Sequence, residues 1–84
     1  MRKIWFGQSA CRGEAVYYYL VVEETAGAER YGFQIRCGDE AETVPDVTSS
    51  QRQIQILLEA MVRGSVTPVT ARAVVEDWLN GREA

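Results

Sequence analysis

The chain has 84 residues, 46% of them hydrophobic and 25% charged, enough for one modest core and too few for two. Twelve acidic and nine basic side chains give a net charge of −3, with eight acids against four bases in residues 39–84; this balance weighs against a phosphate-neutralising partner. No histidine is present, which excludes a His general base, a Ser-His or Cys-His pair and His metal ligation.

"MRKIWFGQSA" opens the chain with two basic residues but no apolar run of signal-peptide length behind them. Its "KIWFGQ" portion is short, aromatic and strand-like, and "SACRG" supplies turn residues. "EAVYYYLVVEET" is the strongest strand signal, dense in β-branched and aromatic side chains. The apolar run inside it, Ala15 to Val22, is under half a membrane span and holds three phenols, so the chain reads as cytoplasmic, with no membrane partner. "AGAE" breaks the run, after which "RYGFQIRCG" alternates Tyr31, Phe33, Ile35 and Cys37 with Gly32, Gln34 and Arg36. Two short connections between three strands imply an antiparallel meander.

The second half reads as helical. "DEAETVPDV" is an acidic, proline-containing connection. Thr48, Ser49 and Ser50 then offer N-caps, and Thr48 with Gln51 or Ser50 with Gln53 fits a capping box. Ile54, Leu57, Leu58, Met61 and Val62 share one helical face, which Gly64 ends. In "VTPVTARAVVEDWLNG", Thr67 is the N-cap, Pro68 takes the first helical position and Gly81 follows the end. Ala71, Val74, Val75, Trp78 and Leu79 make its apolar face. The expected fold is α+β: a three-stranded antiparallel meander (strands over about 2–8, 14–24 and 29–38) followed by a two-helix hairpin (about 50–63 and 68–80) packed on one sheet face, β-β-β-α-α, in one domain over 1–84.

Period-two alternation assigns the faces. The Tyr31-Phe33-Ile35-Cys37 face belongs under the helices, with Val16, Tyr18, Leu20 and Val22 on the second strand and Ile4 and Phe6 on the first. Trp5, Tyr17, Tyr19 and Val21 then fall with Gln34 and Arg36 on a face that has no cover within the chain. Trp5, Tyr17, Tyr19, Val21 and Arg36 are the candidate interaction surface. Its first expected use is self-association as a homodimer, or contact with another protein, since aromatic residues and arginine anchor interfaces and most soluble oligomers are homodimers. Aromatics beside arginine also describe a platform for single-stranded nucleic acid, but the basic rim of Arg2, Lys3, Arg12, Arg30 and Arg36 is thin against Glu14, Glu23, Glu24 and Glu29. The tyrosines are also simply good strand residues, able to be satisfied by cross-strand packing. The expected buried set is Phe6, Tyr18, Leu20, Phe33, Ile35, Leu57, Leu58, Met61, Val74, Trp78 and Leu79, while Ile56 points away from its helix's apolar stripe and is expected to meet the second helix or another chain, not the sheet.

No catalytic residue, metal site or cofactor emerges, and the chain reads as non-enzymatic. Cys11 and Cys37, with twenty-five residues between them, do not make a zinc site and lie in no Cys-x-x-Cys motif. The meander brings them to the same end of the sheet, where they could approach each other. "LLEAMVRGSVTPVTARAVVEDWL" has the turn of a helix-turn-helix, but Glu76 and Asp77 against Arg72 alone suit a capped hairpin better than a recognition helix.

The run "VTPVTARAVVEDWL", Val66 to Leu79, behind a Tyr-rich strand resembles a family of short uncharacterised Gram-positive bacterial proteins, a domain of unknown function. Its distinctive part is Thr67-Pro68 followed by the Val-Val-Glu-Asp-Trp-Leu ending. The resemblance implies a small bacterial cytosolic protein and no catalytic residue, cofactor or partner.

Overall fold

The computed structural model describes residues 1–83. Strands β1 (Arg2–Cys11), β2 (Glu14–Thr25), β3 (Ala28–Cys37) and β4 (Glu40–Thr48) form one antiparallel sheet in the order β1-β2-β3-β4. Helix α1 (Gln51–Arg63), a short 3-10 turn (Pro68–Thr70) and helix α2 (Ala71–Glu83) follow. The α+β class holds, but the three-stranded meander is corrected to four strands: the acidic stretch read as a connection is β4.

Two features hid β4. Glu40 and Glu42 sit where an inward apolar residue would be expected, because β4 is an edge strand. The alternation also changes phase within it: Phe33 pairs with Val44 and Tyr31 with Thr48, so Pro45, Asp46 and Val47 bulge opposite the single residue Gly32. Pro45 is tolerated there because a bulge on an edge strand asks for no ladder N–H. Gly32 is obligatory, since a Cβ on it would lie 2.2 Å from the Val44 carbonyl oxygen and 2.6 Å from the Pro45 Cα.

β1 also runs further than the sequence suggests. Arg12 (φ 54°) and Gly13 (φ 83°) turn the chain in two residues, both at positive φ as a type I′ hairpin turn requires. Ser9, Ala10 and Cys11, read as turn residues, therefore pair with Val16, Ala15 and Glu14. A bulge at Phe6 shifts the β1 register between Trp5 and Gly7.

The helices cover one face. Val16, Tyr18, Leu20, Val22, Tyr31, Phe33, Ile35 and Val44 of the sheet pack with Ile54, Leu57, Leu58 and Met61 of α1 and Ala71 and Val75 of α2. The Ser50 side chain accepts from the Gln53 amide (3.2 Å) and so starts α1. At the other end Ser65, not Gly64, takes the left-handed position (φ 51°), with Ser65 N–H to Val62 O and Val66 N–H to Met61 O closing a Schellman motif. Two long-range polar bonds fasten this connection to the sheet: the buried Tyr18 hydroxyl donates to the Val66 carbonyl (2.7 Å), and the Ser9 and Ser65 hydroxyls meet at 2.6 Å.

The core departs from expectation along α2 and at Phe6 of β1. Leu79 is 38% exposed, and Phe6, Val74 and Trp78 are only partly buried against the core. Gly81, read as the stop after the second helix, lies inside α2. Ile56 stands on the outward side of α1 and is exposed.

Candidate interaction surface

The register sets the open face in cross-strand rows. One row runs Trp5, Tyr19, Gln34, Thr43, and the next Gln8, Tyr17, Arg36, Ala41. Beyond Tyr19 lie Lys3, Val21 and Gly32 with the β4 bulge, and beyond Tyr17 lie Ala10 and Ala15. All five expected surface residues therefore belong to this face, but they are not equally available.

Val21 is only 1% exposed and is not a contact residue. It pairs with Gly32, against which the β4 bulge folds, so this end of the face is closed from within the chain. Tyr19 is half-buried: the Lys3 ammonium stands 4.8 Å from its ring centroid and donates to Gln34 Oε1 (3.1 Å). Gln34 in turn donates from Nε2 to Thr43 Oγ1 (2.9 Å). Lys3, Gln34 and Thr43 thus form a polar belt across the sheet, with the ring under a cation in the manner of a cation–π contact.

What remains open is Trp5 at 56% exposure and Tyr17 at 38%, with Arg36 paired beside Tyr17. By the usual area of such rings these exposures leave on the order of 200 Å² of aromatic surface. Arg36 is exposed and enters none of the ion pairs of the described residues. Neither central row carries a carboxylate, whereas Glu14, Glu29, Glu40 and Glu42 all fall on the helix side of the sheet. The centre of the open face is thus free of carboxylates, although the chain as a whole is acidic and Glu23 stands farther along the same face, opposite Arg30. The sequence missed the belt and the bulge; Lys3 was legible as an open-face residue from its spacing to Trp5, but Thr43 required the unseen fourth strand.

The thiols do not form a second centre. Cys11 pairs with Glu14 on one side of β2 and Cys37 with Val16 on the other, so two strand spacings, about 10 Å, separate their strands. A disulfide needs Cα atoms within about 7 Å, and both cysteines are free. Burial and the neighbouring Glu14 carboxylate, to which Cys37 donates at 3.7 Å, push the Cys37 thiol above its ordinary pKa and away from the thiolate. Among the described residues no group of acidic and cysteine side chains is placed to hold a metal ion, and no helix is long and apolar enough to cross a membrane.

The model of a family described as a family of unknown function, DUF6514, matches residues 2–81. The chain belongs to that family. The DUF6514 match takes in all four strands and α1, and reaches into α2 as far as Gly81, so the open face and its belt lie wholly within the family domain. No curated protein and no solved structure matches the chain.

Proposed function

We propose that this DUF6514 chain is a small, cytosolic, non-enzymatic interaction module that self-associates through its open sheet face, in the bacterial setting its family resemblance implies. The observation that carries this reading is the uncovered pair Trp5 and Tyr17 beside Arg36, on a face no helix of the chain reaches. These are the side-chain types that anchor interfaces. A two-fold axis through the face lets Arg36 of each copy lie over an aromatic ring of the other.

The size of the face sets the strength. Strands of nine to twelve residues at about 3.3 Å per residue and about 4.8 Å apart give a footprint of about 500–600 Å². That is below the roughly 800 Å² per partner of a standard interface, so the dimer is of the weak, concentration-dependent class. Sedimentation equilibrium from about 10 to 500 μM should show a monomer–dimer equilibrium that Trp5→Ser with Tyr17→Ser abolishes, while circular dichroism stays unchanged. A wild-type chain that is monomeric at about 500 μM overturns the reading.

A second reading has the carboxylate-free central rows in its favour: rings and Arg36 as a stacking platform for a single nucleic-acid strand. Salt-sensitive binding of labelled oligouridine that competes with dimer formation would favour it over self-association.

A further inference from the structure

We propose that the free edge of β1, with the groove between it and α1, accepts an added strand: an extended segment of another protein, uncharged in its middle and acidic at both ends. An edge strand presents unpaired backbone N–H and C=O groups, and soluble proteins blunt such edges with proline, charge, bulges or cover. The two edges of this sheet are treated differently. β4 carries Pro45, a three-residue bulge and two glutamates, one of them, Glu42, paired with Arg72 of α2. β1 has a single bulge and neither charge nor proline in the eight residues from Ile4 to Cys11.

Two large side chains of β1 are also left uncovered, one on each of its sides. Ile4, on the helix side, is 44% exposed, and Trp5, on the open face, is 56% exposed. A strand laid along β1 would set alternate side chains beside each of them. Where β1 passes the last turns of α1, a groove of about 330 Å³ is lined by Phe6, Gly7, Gln8, Glu59, Val62 and Arg63. Glycine keeps it open, since a Cβ at position 7 would already touch Val62 Cγ2 at 3.6 Å. The groove has room for a side chain of the incoming strand, with Phe6 and Val62 as its apolar walls and Glu59 and Arg63, of opposite charge, at its rim. Main-chain bonds along an edge supply affinity in this mode of recognition, and such a pocket supplies selectivity.

Charge chooses the occupant. The uncharged stretch is flanked by Arg2 and Lys3 at one end and Arg12 at the other, all exposed. Arg2 stands 3.7 Å from Glu29 and Lys3 bonds Gln34, but both contacts are at the surface, where such pairs are weak and exchange readily for a new carboxylate. A second β1 laid antiparallel would set Arg2 and Lys3 against Arg12 at both ends, and opposed like charges destabilise strand pairs. A strand with carboxylates at its ends meets opposite charge at both. The backbone edge and the Tyr17–Arg36 part of the open face are different surfaces that share only Trp5 at their border, so a Tyr17 substitution separates this site from the sheet-face dimer.

The test is fluorescence anisotropy of a labelled nonapeptide, five alternating valines and threonines between two glutamates at each end, titrated with the full chain. Saturable binding is expected. It should weaken about tenfold when the peptide amides along one edge are N-methylated, which removes the donors and keeps the side chains. Replacing the glutamates by lysines should weaken it about fivefold, and added salt should weaken the acidic peptide's binding. Gly7→Leu, which fills the groove, should lower affinity about fivefold at an unchanged melting temperature, whereas Tyr17→Ser should leave it unchanged. Absence of binding at about 1 mM chain overturns the proposal, as does equal affinity for the N-methylated or the lysine-flanked peptide. Protection of the β1 amides from exchange in a peptide-free dimer would overturn it too, by giving the edge to a second copy.

Discussion

Gly32→Ala tests how the β4 bulge closes one end of the open face. The new Cβ would stand 2.2 Å from the Val44 carbonyl oxygen, where real Cβ atoms keep beyond 3.0 Å, so the bulge must retreat by most of an ångström. The atoms it meets are backbone and cannot rotate aside. Retreat reopens Val21, now 1% exposed, which is worth about 1.5–2 kcal/mol of lost burial. Residual overpacking adds about 1 kcal/mol or more. The exposed Arg30–Asp46 pair, which ties the bulge to β3, contributes little on its own. The total is about 2–4 kcal/mol, a large share of the roughly 5–10 kcal/mol expected for a domain of this length. Urea unfolding followed by circular dichroism measures it, with Gly27→Ala as the control. Gly27 has φ 80° with nothing within 4 Å, so alanine there carries only the backbone penalty of about 1 kcal/mol. If Gly32→Ala is no worse than Gly27→Ala, the bulge is not packed as described and Val21 owes its burial to something else.

Leu58→Ala, at a fully buried position, should cost about 2–5 kcal/mol by calorimetry, and Leu79→Ala, at a position 38% exposed, under about 1 kcal/mol; equal losses would mean that α2 is rotated from its described position. Tyr18→Phe deletes the hydroxyl bonded to the Val66 carbonyl at 2.7 Å and should cost about 1–2 kcal/mol at neutral pH. Burial, then the nearby Cys11 and Cys37, push the Tyr18 hydroxyl from its usual 10.0 up to about 12. The fold therefore holds the neutral phenol: its contribution is complete below pH 10, and is lost as pH rises from 10 to about 12. Urea titrations across that interval should show wild-type stability falling more steeply than that of Tyr18→Phe, and parallel declines would refute the assignment.

Most of the fold was legible where one physical signal dominated. The β2 and β3 alternation placed Tyr18 inside and Tyr17 and Tyr19 outside, because one face of each strand is apolar without interruption. β4 was lost because burial there is one-sided and brief, with Val44 its only buried residue, and because the bulge shifts the phase just where a pattern would be counted. Leu79 was misplaced because α2 turns Ala71 and Val75 to the core, and helical spacing alone cannot say which edge of an apolar stripe faces inward. On the surface, spacing found the residues but not their neighbours. Lys3 over Tyr19 and the bulge beside Val21 are cross-strand events, and they leave Trp5 and Tyr17 as the exposed pair.

The order of the strands also shapes how the molecule assembles. Each pairing joins neighbours in sequence through a two-residue turn, so the sheet grows as successive hairpins with almost no loop entropy to overcome. The contacts that span the chain, Tyr18–Val66 and Ser9–Ser65, join residues 48 and 56 apart, and loop-closure entropy favours forming them after the hairpins. Weakening those late contacts speeds unfolding more than it slows folding. If they are absent from the transition state, the meander sets how fast the native state is reached, and the tyrosine and serine latches set how long it lasts. In a chain where those latches are open, the apolar side of the sheet would lie beside the uncharged Ile4–Cys11 stretch of β1, and Arg2, Lys3 and Arg12 at its ends are the charges that oppose strand-to-strand aggregation.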